Sequence, residues 1–154
     1  MSQLDPWQQV QAILRWSALP GASRHHWGTD VDVYDAAAVT ADYTLQLTAS
    51  EVTGGGPFVA MHEWLDQQIQ KGNADGFFRP YQTDLGGIAP ERWHLSFAPV
   101  AIEYQHGWNV DVLIEQLSEQ SMALKSVVLE HIEEIIQRYV WVSPALYPDT
   151  DKQV

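Results

Sequence analysis

The segment Ser23-Arg24-His25-His26-Trp27-Gly28-Thr29-Asp30-Val31-Asp32 places an imidazole, His25, and a carboxylate, Asp32, seven residues apart, with Gly28 between them to turn the backbone. A second polar cluster, Glu91-Arg92-Trp93-His94, lies far downstream. Three protein ligands, an open fourth position for water and a nearby uncoordinated carboxylate are what a hydrolytic zinc site requires. His25, Asp32 and His94 could supply the ligands and Glu91 the spare carboxylate. Each also has a plainer reading. His25 alone reads as a hydrogen-bonded structural histidine, and Asp32 as a carboxylate held by Arg24 or a backbone amide, since an unpaired buried charge is costly. Glu91 reads as a surface residue and His94 as a side chain packed in a sheet.

These clusters need elements to carry them. Asp5-Pro6 is a helix start, a capping carboxylate followed by proline at the first helical position. Trp7, Val10, Ile13 and Leu14 follow as one apolar stripe that ends before Pro20-Gly21. Asp30-Val31-Asp32-Val33-Tyr34 alternates like a half-buried strand, so Asp30 and Asp32 share one face while Val31 and Val33 are predicted to point into the core. Ala36-Ala37-Ala38 suits a helix, Thr44-Leu45-Gln46-Leu47-Thr48 a short strand, and Gly54-Gly55-Gly56 a loop. Pro57 opens a helix with Phe58, Met61, Leu65 and Ile69 on one face and Gly72 as its stop. Gly76-Phe77-Phe78-Arg79-Pro80-Tyr81 reads as extended, Trp93-His94-Leu95-Ser96-Phe97 as a core strand and Ile102-Glu103-Tyr104 as a further short strand. Glu91 and His94 would face opposite sides of an ideal strand, so a shared site requires irregular backbone at Glu91, which the preceding Pro90 favours.

The C-terminal third is predicted helical. Val110, Leu113, Ile114 and Leu117 form one stripe and Val128, Ile132, Ile135, Ile136 and Tyr139 another, with Glu130, Glu133 and Glu134 on the solvated side; these helices read as scaffold without chemistry. Helices and strands mix without a βαβ rhythm or a phosphate-cradling glycine motif. The predicted class is therefore α+β: a small, mostly antiparallel sheet carrying the site, packed against several helices, in one domain over 1–154.

Composition narrows the function. Hydrophobic residues make up 45% and charged residues 18%, as in a globular protein with a real core. A formal charge of −12 repels nucleic-acid phosphates and anionic membranes, so no nucleic-acid partner is expected. Cysteine is absent, which leaves His, Asp and Glu as the only metal ligands of consequence. No run approaches the ~18 apolar residues of a membrane span, and the first residues show no basic segment followed by an apolar one, as a signal peptide would.

Ser23, His25, Gly28 and Asp32 match the pattern Ser-x-His-x-x-Gly-x-Ala-x-Asp, and Glu91, Trp93 and His94 match Glu-x-Trp-His. On these residues the chain resembles the D-alanyl-D-alanine carboxypeptidase (VanY/VanX-like) zinc peptidases, a group that also includes lysostaphin-type enzymes and hedgehog domains. By order and spacing the resemblance runs from about Trp7 to Ala101. It implies one Zn2+ per chain held by His25, Asp32 and His94, with Glu91 as general base for attack of activated water on a scissile carbonyl. It also implies short peptidoglycan stem peptides containing D-amino acids as substrates. Asp30 stands where the family has alanine. It reads as a partner orienting a ligating histidine, as a contact to a substrate amine, or as a solvated strand-edge residue. Ser23 and Trp27 are the other candidate substrate contacts, Trp27 as a groove aromatic or as core. His26, His62, His106 and His131 are expected to be structural or solvent-exposed, with His62 on the polar side of its helix.

Members of the family resemble one another in an upstream strand and helix with a Gly-x-Arg-Ser-type motif, whose arginine is expected to bind the substrate carboxylate or polarise its carbonyl. Nothing here matches it. The expectation is a chain without that piece, which turns over poorly and pairs with a second copy through an open sheet edge. A monomer with family-typical activity would instead point to Arg24 or Arg92 as filling the arginine's role. A zinc-bearing module that binds a peptide or partner with weak catalysis is the rival reading, and an acidic structural domain without metal is a third. The compartment expected is the periplasm or cell envelope if upstream sequence exists, and otherwise the cytoplasm.

Overall fold

Helix α1 (Pro6–Leu14) starts on a reciprocal cap: the Gln8 amide donates to Asp5 Oδ1 at 2.9 Å, and the Asp5 amide to Gln8 Oε1 at 3.1 Å. Pro6 sits in the first turn, where its missing N–H costs nothing. The computed structural model describes residues 4–148. Val10 and Leu14 of α1 are buried against α5 (Val110–Glu119), α6 (Lys125–Glu130) and α7 (Ile132–Tyr139). Leu113, Leu117, Val128, Ile132, Ile135, Ile136 and Tyr139 complete this main core, as the C-terminal stripes predict. Ile13 departs from its stripe and is 55% exposed, because the buried line follows Val10 and Leu14 and leaves Ile13 at its solvent edge.

The sheet is small and antiparallel, with β3 (His94–Phe97) between β1 (Asp30–Asp32) and β2 (Phe77–Phe78). With seven α-helices among the described residues, the class is α+β. Register places Asp30 opposite Ser96 and Asp32 opposite His94, so these four side chains share a face. The alternation predicted for β1 is present, but its polarity is inverted. Asp30 is buried and Val31 is 46% exposed, because the face of β1 that meets the protein is the one whose polar groups find partners there.

Two predicted strands are not strands. Residues 44–48 form a loop because the Gln46 and Thr48 amides each donate at 2.9 Å to the buried Glu51 carboxylate, which also accepts from the Tyr43 hydroxyl at 2.7 Å. A ladder would need those same amides. Ile102-Glu103-Tyr104 lies inside α4 (Ala98–Gly107), which follows β3 directly and carries Pro99 in its first turn. Ala36–Ala38 is a 3-10 turn, and α2 (Ala49–Val52) follows the loop.

Helix α3 (Val59–Gln70) corrects the reading of His62, which is fully buried. Arg79 Nη2 lies 3.3 Å from His62 Nδ1, and Arg79 Nε and Arg92 Nη2 both donate to Asp66 one turn further along the helix, at 2.7 and 2.6 Å. Burial first, then the guanidinium charges of Arg79 and Arg92, push the His62 pKa down to about 4. The unfolded chain thus binds a proton near pH 6.5 that the folded protein refuses until about pH 4. Stability is fully present above the unfolded value and falls on acidification through that window, by at most about 3 kcal/mol. Urea unfolding between pH 7 and pH 4 should show this loss, and His62→Gln, which keeps an acceptor for Arg79 but cannot titrate, should flatten it. An unchanged pH slope in the variant would assign the loss to other groups.

Candidate metal centre

Arg24–Trp27 form one 3-10 turn closed by Gly28, whose φ of +73° puts it in the left-handed region. A Cβ there would meet nothing within 4 Å, so glycine is required for backbone conformation alone, a preference worth about 1 kcal/mol. The turn brings His25 back over β1. His25 Nδ1 lies 3.1 Å from the Asp30 carbonyl oxygen, to which it donates, and this leaves the Nε2 lone pair facing Asp32 Oδ2 at 3.5 Å.

His94 enters from β3 and is buried. Its Nε2 lies 2.9 Å from Asp30 Oδ1, an acceptor, which assigns the proton to Nε2 and the lone pair to Nδ1. That Nδ1 is 3.1 Å from Asp32 Oδ1 and 3.8 Å from Glu91 Oε2, yet makes no hydrogen bond. Two acceptors this close require a cation between them, a proton or a metal ion. One ligand atom each from His25, Asp32 and His94 lies within 4.8 Å of the others. An orphaned imidazole nitrogen, a second imidazole lone pair and a carboxylate are a fitting zinc donor set. Burial opposes the charged form of His94, but the Asp30 and Asp32 carboxylates outweigh it and raise its pKa, so the pocket favours positive charge.

Glu91 is brought into the same cleft by a turn at 91–93 rather than by strand, with the His94 amide donating to the Glu91 carbonyl at 3.3 Å. This is the irregular backbone predicted after Pro90. The turn is held from outside, since Arg92 bonds Asp66 and donates to the Val52 carbonyl at 2.7 Å. Burial raises the Glu91 pKa; His94 and His25 counteract this, while Asp32 adds to it. The cleft holds about 370 Å³, with His25, Asp32, Glu91 and His94 beside Tyr81 and Trp16 in its lining.

Asp30 is a buried residue, not a solvated edge residue. It is 4% exposed and accepts from Thr29 Oγ1 at 2.6 Å, Arg24 Nε at 3.0 Å and Ser96 Oγ at 3.0 Å, besides His94. Burial alone would raise its pKa, but His94, Arg24 and Thr29 hold the carboxyl below its usual range. Arg24 therefore pairs with Asp30, not with Asp32. Trp27 takes the core alternative: it is buried in the main core with the Arg24 guanidinium 4.4 Å from its ring centroid. Ser23 does line the cleft. His26, His62, His106 and His131 lie outside the ligand cluster, and His131 stacks on Trp7 at 4.1 Å. Tyr81 was not singled out by the sequence. Its ring packs 4.9 Å from that of His94 and its carbonyl accepts the Glu91 amide at 2.9 Å, but no motif marks it.

The family model of VanY, D-alanyl-D-alanine carboxypeptidase, matches residues 2–100, a span that contains the whole cluster. The chain belongs to this family. An uncharacterised protein of Haemophilus influenzae is 27% identical over 122 residues, covering 79% of this chain and 92% of the relative. No solved structure matches. Membership in the VanY family makes the chain a carboxypeptidase-like peptidase. No described helix is long and apolar enough to cross a membrane.

If the three side chains hold one zinc, purified protein should carry close to one equivalent by elemental analysis. His25→Ala and His94→Ala should each fail to retain it through gel filtration, since two ligands rarely hold zinc in a water-filled site. Retention of stoichiometric zinc by either variant would remove that histidine from the ligand set.

Proposed function

We propose that this chain is a zinc-dependent peptidase of carboxypeptidase type, acting on peptidoglycan stem peptides that contain D-amino acids. In this reading His25, Asp32 and His94 are the ligands and Glu91 is the general base. The observation that carries it is the buried, unbonded His94 Nδ1 facing Asp32 in a cleft shared with His25 and Glu91. The substrate class follows from the family.

Zinc bound there supplies Lewis acidity, lowering the pKa of water towards about 7 and polarising a carbonyl. The protein's own residues do the rest. Glu91 takes the proton of the attacking water, its carboxylate lying in the same cleft as the three candidate ligands. As the peptide C–N bond breaks, Glu91 returns that proton to the leaving amine, so the carboxylate is regenerated. His25 and His94 stay oriented throughout because each has its outer nitrogen bonded to Asp30, one through the backbone carbonyl and one through the carboxylate.

A second reading, a zinc-bearing peptide-binding module with weak catalysis, draws on the cleft lining. Arg24 is the one guanidinium or ammonium among the described lining residues, and it is engaged by Asp30. The same experiment separates the readings. Glu91→Gln preserves shape and cannot accept a proton, so hydrolysis of a peptide ending in D-alanyl-D-alanine should fall by ~10²-fold or more, with zinc content and fold retained. Wild-type turnover by the variant would move the base elsewhere, and zinc-dependent peptide binding without turnover by the wild type would establish the binding module.

A further inference from the structure

We propose that Gln105 and Tyr147 are positioning residues for His94, acting through Arg24 and Asp30, so that the segment following α7 is part of the metal centre. The inference rests on the ligand assignment above, and it involves residues beyond the 2–100 span that matches the family. Gln105 lies on α4 and is buried. Its Nε2 donates to the Val142 carbonyl at 2.9 Å while its Oε1 accepts the Val142 amide at 2.9 Å, a two-point pairing that fixes which end of the carboxamide is oxygen. The same Oε1 accepts from Arg24 Nη1 at 3.2 Å and from the Tyr147 hydroxyl at 3.2 Å. Arg24 Nη2 in turn lies 2.9 Å from Ser96 Oγ and 3.4 Å from the Tyr147 oxygen.

A guanidinium is planar, so fixing Nη1 and Nη2 fixes the direction of Nε. That Nε–H points at Asp30 Oδ1, the oxygen that also accepts from His94 Nε2. The chain Val142, Gln105, Arg24, Asp30, His94 thus runs without a break from the C-terminal segment to the ring nitrogen that selects the His94 tautomer. If the guanidinium tilts, Asp30 follows, and the Nε2–H form loses the acceptor that favours it. Every molecule in the other tautomer must move its proton before Nδ1 can ligate a metal.

The test uses Gln105→Leu and Tyr147→Phe in the full chain, read in two ways. Long-range 1H–15N correlation of metal-free protein, at a pH high enough to leave the His94 ring neutral, reports its tautomer, expected as Nε2–H in the wild type and as a mixture in Gln105→Leu. Competition with a chromophoric chelator reports zinc affinity, expected to weaken about tenfold in Gln105→Leu, the lower end for losing an outer partner of a ligand. Tyr147→Phe should move both in the same direction by less, and it decides the matter if Gln105→Leu does not fold. Lowered thermal stability with wild-type tautomer and wild-type zinc affinity in both variants would overturn the proposal. If the wild type binds no zinc, the proposed function fails, while the tautomer measurement still tests the Gln105 chain by itself.

Discussion

The structure depends on one buried carboxylate. Asp30 is 4% exposed, and an ion taken out of water costs several kcal/mol unless donors replace the lost hydration. Four side-chain donors do so, from the 24–27 turn, from Thr29 and from two positions of β3. Removing any one of them would leave a charge without full compensation, a larger loss than the worth of the bond itself. The turn, the register of β1 on β3 and the position of Arg24 are therefore mutually required. The geometry around His94 is what satisfying Asp30 leaves behind.

That arrangement divides the work of each histidine between its two nitrogens. The inner nitrogen faces the cleft as a lone pair, and the outer one is committed to Asp30. Two more carboxylates, Asp32 and Glu91, close on the same point, in a protein whose formal charge is −12. Like charges gathered this closely are unfavourable without a cation. The raised pKa of His94, held up by the Asp30 and Asp32 carboxylates against burial, is the proton's version of the same demand. A divalent ion would meet it with more charge, and with geometry that the lone pairs already define.

How much of this could be read from the residues follows the range of the interactions. The α1 cap, the C-terminal helix stripes and the break after Pro90 depend on neighbours within a turn or two, and local chemistry announces them. The two motif clusters announced the cleft quartet for a similar reason, since spacing and residue type carry the signal. What escaped depends on partners far along the chain. Val31 reads as core until Ser96 and Arg24 are seen to cover the opposite face. Residues 44–48 read as a strand until Glu51 takes their amides, and His62 reads as lying on the polar side of its helix until Arg79 is seen to cover it. The helical C-terminal third read as scaffold alone, because nothing local ties Gln105 or Tyr147 to an arginine more than eighty residues upstream.

The long-range layer also bears on how much order a bound cation would have to supply. In a metal-dependent mini-domain the ligands have no arrangement of their own, so the binding free energy is spent on folding. Here the outer nitrogens of both histidines are bonded, the 91–93 turn is anchored through Arg92 to Asp66, and β1 is registered on β3, all through contacts among the protein's own groups. These contacts hold the candidate ligands and Glu91 without running through a metal, which is the preorganisation that a metal-activated water beside a base would need. Two contacts between lone pairs remain, His94 Nδ1 with Asp32 Oδ1 at 3.1 Å and His25 Nε2 with Asp32 Oδ2 at 3.5 Å, unfavourable while both imidazoles are neutral and relieved by a cation between them. Both conflicts fall at Asp32, inside a shell in which the other polar groups of Asp30, His25 and Arg24 are partnered, so a cation entering there would relieve them together.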